Sequence, residues 1–254
     1  DPVSDFAELT EWCAGTNTTQ LVVVVNDETV VDRSWRVAPS ERHDVGSIQR
    51  LLTGVVLAQL VASGNIGLDQ SLNDLLGPGW SRAPATHEQT ITISHLATMT
   101  AGLDDDFHAI HSPGQGWYYC NKGYHLLRRV LEGADDRSTD AMFRARIFEP
   151  CGMTTSSFVR RDPDDPSSLP GLISTGRDIA RFGQALLTSK PFGIEDELLS
   201  DLRQGTASNP SYGHLVWRYG GHAAIVPGRR SGQEPIPGRV FGGIKLDRPI
   251  AAAS

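Results

Sequence analysis

The hydrophobic pattern of the chain begins with a short helix and a β-hairpin. Phe6, Leu9 and Trp12 recur at helical spacing within residues 5–14, and a β-branched run follows at residues 21–25. A polar pair separates this run from a second apolar segment, which is typical of two antiparallel strands joined by a tight turn. The N-terminal part therefore predicts a helix followed by a hairpin.

The next segment predicts a helix whose apolar side chains cover most of its circumference. Residues 47–63 carry apolar side chains on nearly every face, and Gly64-Asn65 follows as a stop signal. A helix that is apolar nearly all round belongs in the interior of a protein. We therefore expect Ser47 to begin a central, buried helix.

Helical periodicity dominates the middle of the chain, and strand signals return near its end. Helices are predicted at residues 94–100, 123–132, 140–148 and 175–187, and strands at residues 212–218 and 239–245. Strands at both ends of a helical block predict an α+β fold, with an antiparallel sheet packed against a mainly helical domain. Residues 1–65 and 191–254 form the predicted sheet part, which we expect to be incomplete at the C-terminus, and residues 66–190 form the helical part.

Composition and charge narrow the classes of function. The chain has 254 residues, of which 39% are hydrophobic and 21% charged, as in ordinary folded domains. The formal net charge is −7 and no cluster of basic residues occurs, which argues against nucleic acid as a partner. We also expect no membrane span, because no apolar run is long enough. The sequence does not indicate an oligomeric state.

The spacing of the cysteines and of the possible metal ligands predicts a protein without a metal or other cofactor. The 3 cysteines are widely spaced, which argues against a disulfide framework or a zinc site. Unpaired thiols and the lack of a signal peptide favour a cytoplasmic location, and export followed by signal removal is the alternative. The acidic run 104–106, with His108 and His111, is spaced too loosely to indicate a metal site and is more typical of a solvated loop.

Ser47 is a candidate nucleophile because of its place at the start of a buried helix. Backbone N–H groups at a helix N-terminus lack intrahelical partners, and the helix dipole favours negative charge there. Acyl transfer to a serine hydroxyl requires both an activated oxygen and stabilisation of an oxyanion. The alternative is that Ser47 simply caps the helix, a role in which serine is common.

Six segments in order resemble the serine β-lactamase and penicillin-binding-protein superfamily, in its class C-like branch. They are residues 44–50 around Ser47, residues 91–103, residues 113–124 with Tyr119 and Asn121 in a Tyr-x-Asn arrangement, residues 148–153, residues 171–182 and residues 209–213. The last segment is similar to members that act as esterases or 6-aminohexanoate-dimer hydrolases.

The resemblance implies a serine hydrolase that acts on small-molecule esters or amides through an acyl-enzyme. It implies that Ser47 is acylated, that Tyr119 is the general base and that Asn121 binds the substrate amide or ester. Further candidates for substrate contacts are Tyr212, Trp217 and His222. For the first two, packing in the core is an equally good explanation.

The chain departs from the family pattern at two places. Arg50 stands where the family has the lysine of Ser-x-x-Lys, and no Ser-x-x-Lys occurs anywhere in the sequence. An arginine stays protonated, so Arg50 can supply a positive charge but cannot accept a proton. The third motif is reduced to a near match at His222. The alternative function is therefore a catalytically impaired homologue that binds a ligand or partner, and the alternative for Arg50 is a structural ion pair with a carboxylate.

Overall fold

The computed structural model describes residues 6–164, 168–188, 190–219 and 250–252. The helices are α1 (Ala7–Ala14), α2 (Gln49–Ala62), α3 (Leu72–Leu76), α4 (Ala85–Glu88), α5 (Ile93–Ala97), α6 (Asn121–Asp135), α7 (Thr139–Phe143), α8 (Glu149–Cys151), α9 (Gly176–Thr188) and α10 (Asp196–Leu202). The strands are β1 (Gln20–Val25), β2 (Glu28–Ser34), β3 (His43–Asp44), β4 (Ser157–Arg160), β5 (Pro170–Ser174), β6 (Trp217–Tyr219) and β7 (Ile250–Ala252). This mixture of helices and small antiparallel sheets confirms the predicted α+β class.

These elements belong to two compact units, each made from two separate stretches of chain. The first unit comprises Asp1–Gly46 and Ser138–Gly193, and the second comprises Ser47–Arg137 and Ile194–Ser254. Each of these two units contains both helices and strands, so they do not correspond to a sheet part and a helical part. The predicted division into a sheet part and a helical part therefore stays a prediction.

The first unit contains the predicted hairpin and a second small sheet. Val25 pairs with Glu28, so Asn26 and Asp27 form the turn, with φ angles of 49° and 66°. Positive φ at both central residues is the geometry that matches the twist of two antiparallel strands. The hairpin prediction is confirmed, although β2 ends at Ser34. The second sheet has the antiparallel order β3-β5-β4.

The second unit is built around α2. The fully buried residues on this helix include Leu52, Val56, Leu57 and Leu60. They confirm the predicted central helix, and α6 and α10 pack against it. A Cβ at Gly54 would lie 3.0 Å from the carbonyl oxygen of His214. Glycine at this position therefore allows the segment that carries Tyr212 and Trp217 to lie directly on α2.

The late strand signals are confirmed only in part. The strand predicted at residues 212–218 is present as the short β6, which pairs antiparallel with β7. Tyr212 forms an isolated bridge with Trp217, because the chain folds back at Leu215, whose φ is 63°. The strand predicted at residues 239–245 lies outside the described residues.

The predicted helices in the middle of the chain are present with altered lengths. Residues 123–132 lie within α6, and residues 175–187 correspond closely to α9. The helix predicted at residues 94–100 ends earlier, at Ala97, and that predicted at residues 140–148 changes to a π-helical turn after Phe143.

Candidate active site

Ser47 lies in a 3-10 turn, Gly46–Ile48, directly before α2. The helix therefore begins at Gln49 rather than at Ser47, and Ile48 occupies the N-cap position without any side-chain cap. The Ser47 side chain is half-buried and makes no hydrogen bond to any described residue. The alternative role of Ser47 as a helix cap is therefore wrong, and its hydroxyl has no competing structural bond in this part of the molecule.

Arg50, in the first turn of α2, connects the first two predicted motifs. Its Nη2 donates a hydrogen bond of 2.7 Å to Oδ1 of Asn121. Its guanidinium carbon lies 4.3 Å from the centre of the Tyr119 ring and 4.2 Å from that of Tyr124. The residue at the position of the family lysine thus contacts both Tyr119 and Asn121, one helical turn after Ser47.

The positive charge of Arg50 is buried, and no carboxylate of the described residues forms an ion pair with it. Only 5% of the residue is exposed, and no described residue forms an ion pair with it. Its Nε and Nη1 atoms are buried and have no hydrogen-bond partner in the described part of the chain. The alternative of a structural ion pair is therefore not present among the described residues. Contacts with aromatic faces and one amide oxygen stabilise the charge instead.

Tyr119 is half-buried in a cluster of aromatic rings. Its ring centre lies 6.0 Å from that of Trp117 and 6.3 Å from that of Trp217, with which it is stacked. The phenol oxygen is buried and has no hydrogen-bond partner within the described ranges, so no hydrogen bond joins it to Ser47. Catalytic hydrogen bonds are often long or poorly aligned without substrate, and Tyr119 remains the candidate base.

Tyr212 and Trp217, the predicted pocket residues, both contact Tyr119. Tyr212 is fully buried and lies 6.2 Å from Tyr119 between ring centres, whereas Trp217 is half-buried. Burial raises the pKa of Tyr212, and the nearby charge of Arg50 opposes that shift only partly. The side chains of Arg50 and Tyr212 are close enough to interact, although no hydrogen bond of good geometry joins them. Tyr212 therefore carries a neutral phenol at ordinary pH.

Asn121 is the first residue of α6, and the preceding cysteine fixes it there. Cys120 is the N-cap, and its Sγ accepts a hydrogen bond of 3.2 Å from the backbone N–H of Gly123. Burial raises the pKa of the Cys120 thiol to about 12, so it stays protonated. Asn121 itself is exposed. Its amide is therefore available to solvent and ligand on one side and to Arg50 on the other.

Sequence reasoning missed two residues that help to hold Arg50. Tyr124 packs against the guanidinium, and its phenol oxygen lies 2.9 Å from Oγ1 of Thr53. Thr53 follows Arg50 by one helical turn, and Tyr124 follows Asn121 by the same interval. Residues at this spacing share a helix face, so the spacing itself was a signal that could have found them.

A second serine in the same unit, Ser94, contacts a histidine. Oγ of Ser94 lies 2.9 Å from Nε2 of His214, and Nδ1 of His214 lies 3.2 Å from the carbonyl oxygen of Leu202. A carbonyl only accepts, so Nδ1 carries the proton and Nε2 accepts from Ser94. Burial lowers the pKa of His214, which keeps the imidazole neutral. Ser94 is therefore the serine against which the reactivity of Ser47 should be compared.

Some sequence expectations concern other parts of the chain. His222 lies outside the described residues. Within the described ranges, no group of three or more histidine, cysteine or acidic side chains is placed to hold a metal ion. The Asp104 carboxylate accepts hydrogen bonds of 2.9 Å from the backbone N–H groups of Asp106 and His108. Among all the described residues, no helix has the length and apolar character needed to cross a bilayer.

Comparison with known families decides the relationship. The family model described as Beta-lactamase matches residues 11–241, which is most of the chain. The chain belongs to the beta-lactamase family. The resemblance noted on Ser47, Tyr119 and Asn121 is thereby confirmed at the level of the family, whereas the class C-like branch stays a prediction.

Individual relatives within the beta-lactamase family are distant. Penicillin-binding protein 4 of Amycolatopsis lactamdurans is 27% identical over 179 residues, which cover 57% of this chain and 47% of that protein. Protein flp of Staphylococcus aureus is 23% identical over 151 residues, 50% of this chain and 30% of that protein. The chain therefore spans less than half the length of these curated relatives.

A solved structure of similar fold is the beta-lactamase/D-alanine carboxypeptidase of Pseudomonas syringae. Its TM-score is 0.65, with 19% sequence identity over 86% of this chain and 74% of that one. Identity this low shows a shared fold. For this beta-lactamase-family chain, the activity therefore has to be argued from its own residues.

Proposed function

We propose that the chain is a serine hydrolase in which Ser47 is acylated by small esters or amides. The observation that supports it most is the position of Arg50. From one helical turn after Ser47, Arg50 binds Asn121 and covers the ring of Tyr119. All four residues belong to one compact unit. The site therefore combines a hydroxyl, a phenol, an amide and a fixed positive charge.

In the proposed reaction, Oγ of Ser47 attacks the substrate carbonyl carbon and its proton passes to Tyr119 as general base. The alcohol or amine then leaves with that proton, and water hydrolyses the acyl-enzyme to release the acid. Arg50 accepts no proton, because a guanidinium stays charged. It would instead stabilise an anionic phenolate of Tyr119, while the Asn121 amide orients the substrate.

The substrate class follows from the family and from the aromatic side chains near Tyr119. The structural neighbour from Pseudomonas syringae is described as a beta-lactamase/D-alanine carboxypeptidase, and both of those activities open an amide bond. We therefore include D-amino-acid amides and β-lactam-like compounds among the small esters and amides to be screened. Trp217, which is half-buried, would contact their apolar part.

A second candidate function is a catalytically impaired homologue that binds a ligand or partner. The observation that favours it is the same arginine. Nη2 of Arg50 already donates a hydrogen bond to Oδ1 of Asn121, and an arginine cannot exchange a proton as a lysine can. In that case the fold would be retained while acylation of Ser47 is lost.

Labelling with a fluorophosphonate distinguishes the two functions. The protein is incubated with the reagent, and intact masses are compared for wild type, Ser47→Ala and Ser94→Ala. Ser94 is the matched control, because its hydroxyl contacts a neutral histidine. The hydrolase proposal expects one adduct in wild type and in Ser94→Ala, and none in Ser47→Ala.

The Arg50→Lys variant completes the experiment. Adduct formation in Arg50→Lys but not in wild type would support the impaired homologue. An unlabelled wild type together with an unlabelled Arg50→Lys would contradict the proposed hydrolase. An adduct that disappears in Ser94→Ala instead would assign the reactive hydroxyl to Ser94 and would equally contradict the proposed role of Ser47.

A further inference from the structure

The guanidinium of Arg50 has unused hydrogen-bond donors in a buried position. Its exposed fraction is 5%, and both Nε and Nη1 are buried without a hydrogen-bond partner among the described residues. Burying a charge is strongly unfavourable unless it is paired and hydrogen-bonded. No carboxylate of the described residues provides such a pair. The group therefore has both the charge and the free donors of an anion-binding residue.

Two phenol groups next to Arg50 share this property. The hydroxyls of Tyr119 and Tyr212 are also buried and have no hydrogen-bond partner of good geometry among the described residues. Their rings are in contact, with 6.2 Å between the ring centres, and the charge of Arg50 acts on the Tyr212 phenol. Guanidinium groups only donate, and a neutral phenol can donate its proton. The complementary ligand is therefore a group that only accepts.

The position of Asn121 gives this site a route to solvent. Asn121 is exposed, and its Oδ1 lies 2.7 Å from Nη2 of Arg50. The guanidinium thus lies one side chain below the accessible surface. A small ligand could reach it by displacing the Asn121 amide, without rearrangement of α2.

We propose that Arg50 anchors a binding site for a small carboxylate, with the neutral hydroxyl of Tyr212 as an additional donor. A carboxylate accepts several charge-assisted hydrogen bonds at once, and arginine is well suited to provide them. The site is the one proposed for hydrolysis, but carboxylate binding does not require Ser47 to react. It can therefore be tested independently of the catalytic proposal.

The test measures the thermal unfolding midpoint while sodium acetate replaces sodium chloride at constant ionic strength and pH 8. A ligand that binds the native state raises this midpoint in a saturable manner. We expect the rise in wild type and equally in Ser47→Ala. We expect Arg50→Gln to bind acetate about tenfold or more weakly, because a charged donor is lost. Arg129→Gln, on the exposed face of α6, is the matched control and should respond like wild type.

Three outcomes would overturn the proposal. The first is a midpoint in wild type that does not change as acetate replaces chloride. The second is an equal rise in Arg50→Gln, which would indicate a general salt effect. The third is acetate binding that appears only after Glu234→Gln or Asp247→Asn, at the acidic residues of segment 220–249 outside the described residues, which would assign the carboxylate partner to the chain itself. Because Ser47→Ala is included, failure of carboxylate binding and failure of acylation are read separately.

Discussion

Replacing Arg50 with methionine should make the protein more stable. The guanidinium has no carboxylate partner among the described residues, and removal of a buried ion relieves a desolvation penalty of several kcal/mol. The substitution removes one charged hydrogen bond, to the exposed Asn121, and two contacts with tyrosine rings. Each ring contact contributes about 0.5–2 kcal/mol and the hydrogen bond about 1.5–3 kcal/mol.

Methionine fills the space of the arginine stem, so no large cavity opposes the relief of the desolvation penalty. Replacing buried ionic groups by apolar side chains of similar volume is often neutral or stabilising by about 1–4 kcal/mol. We expect a gain of about 1–2 kcal/mol for Arg50→Met, which corresponds to a rise in unfolding midpoint of about 2–8 °C for a chain of this size. A residue whose removal stabilises the fold is one that the fold itself does not require.

The assay is urea unfolding followed by tryptophan fluorescence, in a buffer free of carboxylates. Arg128→Met is the matched control, because Arg128 is equally buried but its Nη1 donates to Oε1 of the buried Gln49. Removal of Arg128 leaves that oxygen without its partner and should destabilise by about 1–3 kcal/mol. The reasoning is refuted if Arg50→Met lowers the free energy of unfolding as much as Arg128→Met does.

Three further predictions concern residues outside the reaction. Burial alone would raise the pKa of Glu88, but hydrogen bonds from Ser81 and Gly79 outweigh it and hold the pKa below its ordinary 4.5. The stability difference between wild type and Glu88→Gln should therefore be fully present above pH 4.5 and decrease as pH falls below it, measured by urea unfolding across that range. Gly54→Ala should destabilise by about 1 kcal/mol despite its higher helix propensity, because the new Cβ meets a backbone oxygen; unchanged thermal stability would contradict this close approach. Cys120 should react with a disulfide reagent at pH 8 far more slowly than in urea, and equal rates would contradict its burial.

The sequence was most informative where hydrophobic pattern and motif spacing agreed. The central helix follows from apolar residues on every face, and the hairpin follows from two β-branched runs around Asn26-Asp27. The approach of Tyr119 and Asn121 to Arg50 was implied by the family motifs. Each of these rests on local periodicity or on a fixed order of segments, which a single sequence contains.

The sequence was least informative about partners and boundaries. The start of α2 at Gln49 depends on how the last turn before it closes, and helix ends are rarely fixed by sequence alone. The sequence left Tyr212 open between substrate contact and core packing, and it is fully buried, because pattern does not show which aromatic ring faces the interior. Whether a described carboxylate pairs with Arg50 is a property of the packed structure, so sequence could only offer the ion pair as an alternative.

The interleaving of the two compact units has a consequence for biosynthesis. The first unit includes Asp1–Gly46 but also needs Ser138–Gly193, and the second needs Ser47–Arg137 together with Ile194–Ser254. As the nascent chain leaves the ribosome, neither unit can be completed before a long stretch of the other has been synthesised. Ser47 is the first residue after one of these crossings. The candidate nucleophile therefore leaves the ribosome well before the segment with Tyr212 and Trp217, whose contacts with Tyr119 form only after that later segment has been synthesised.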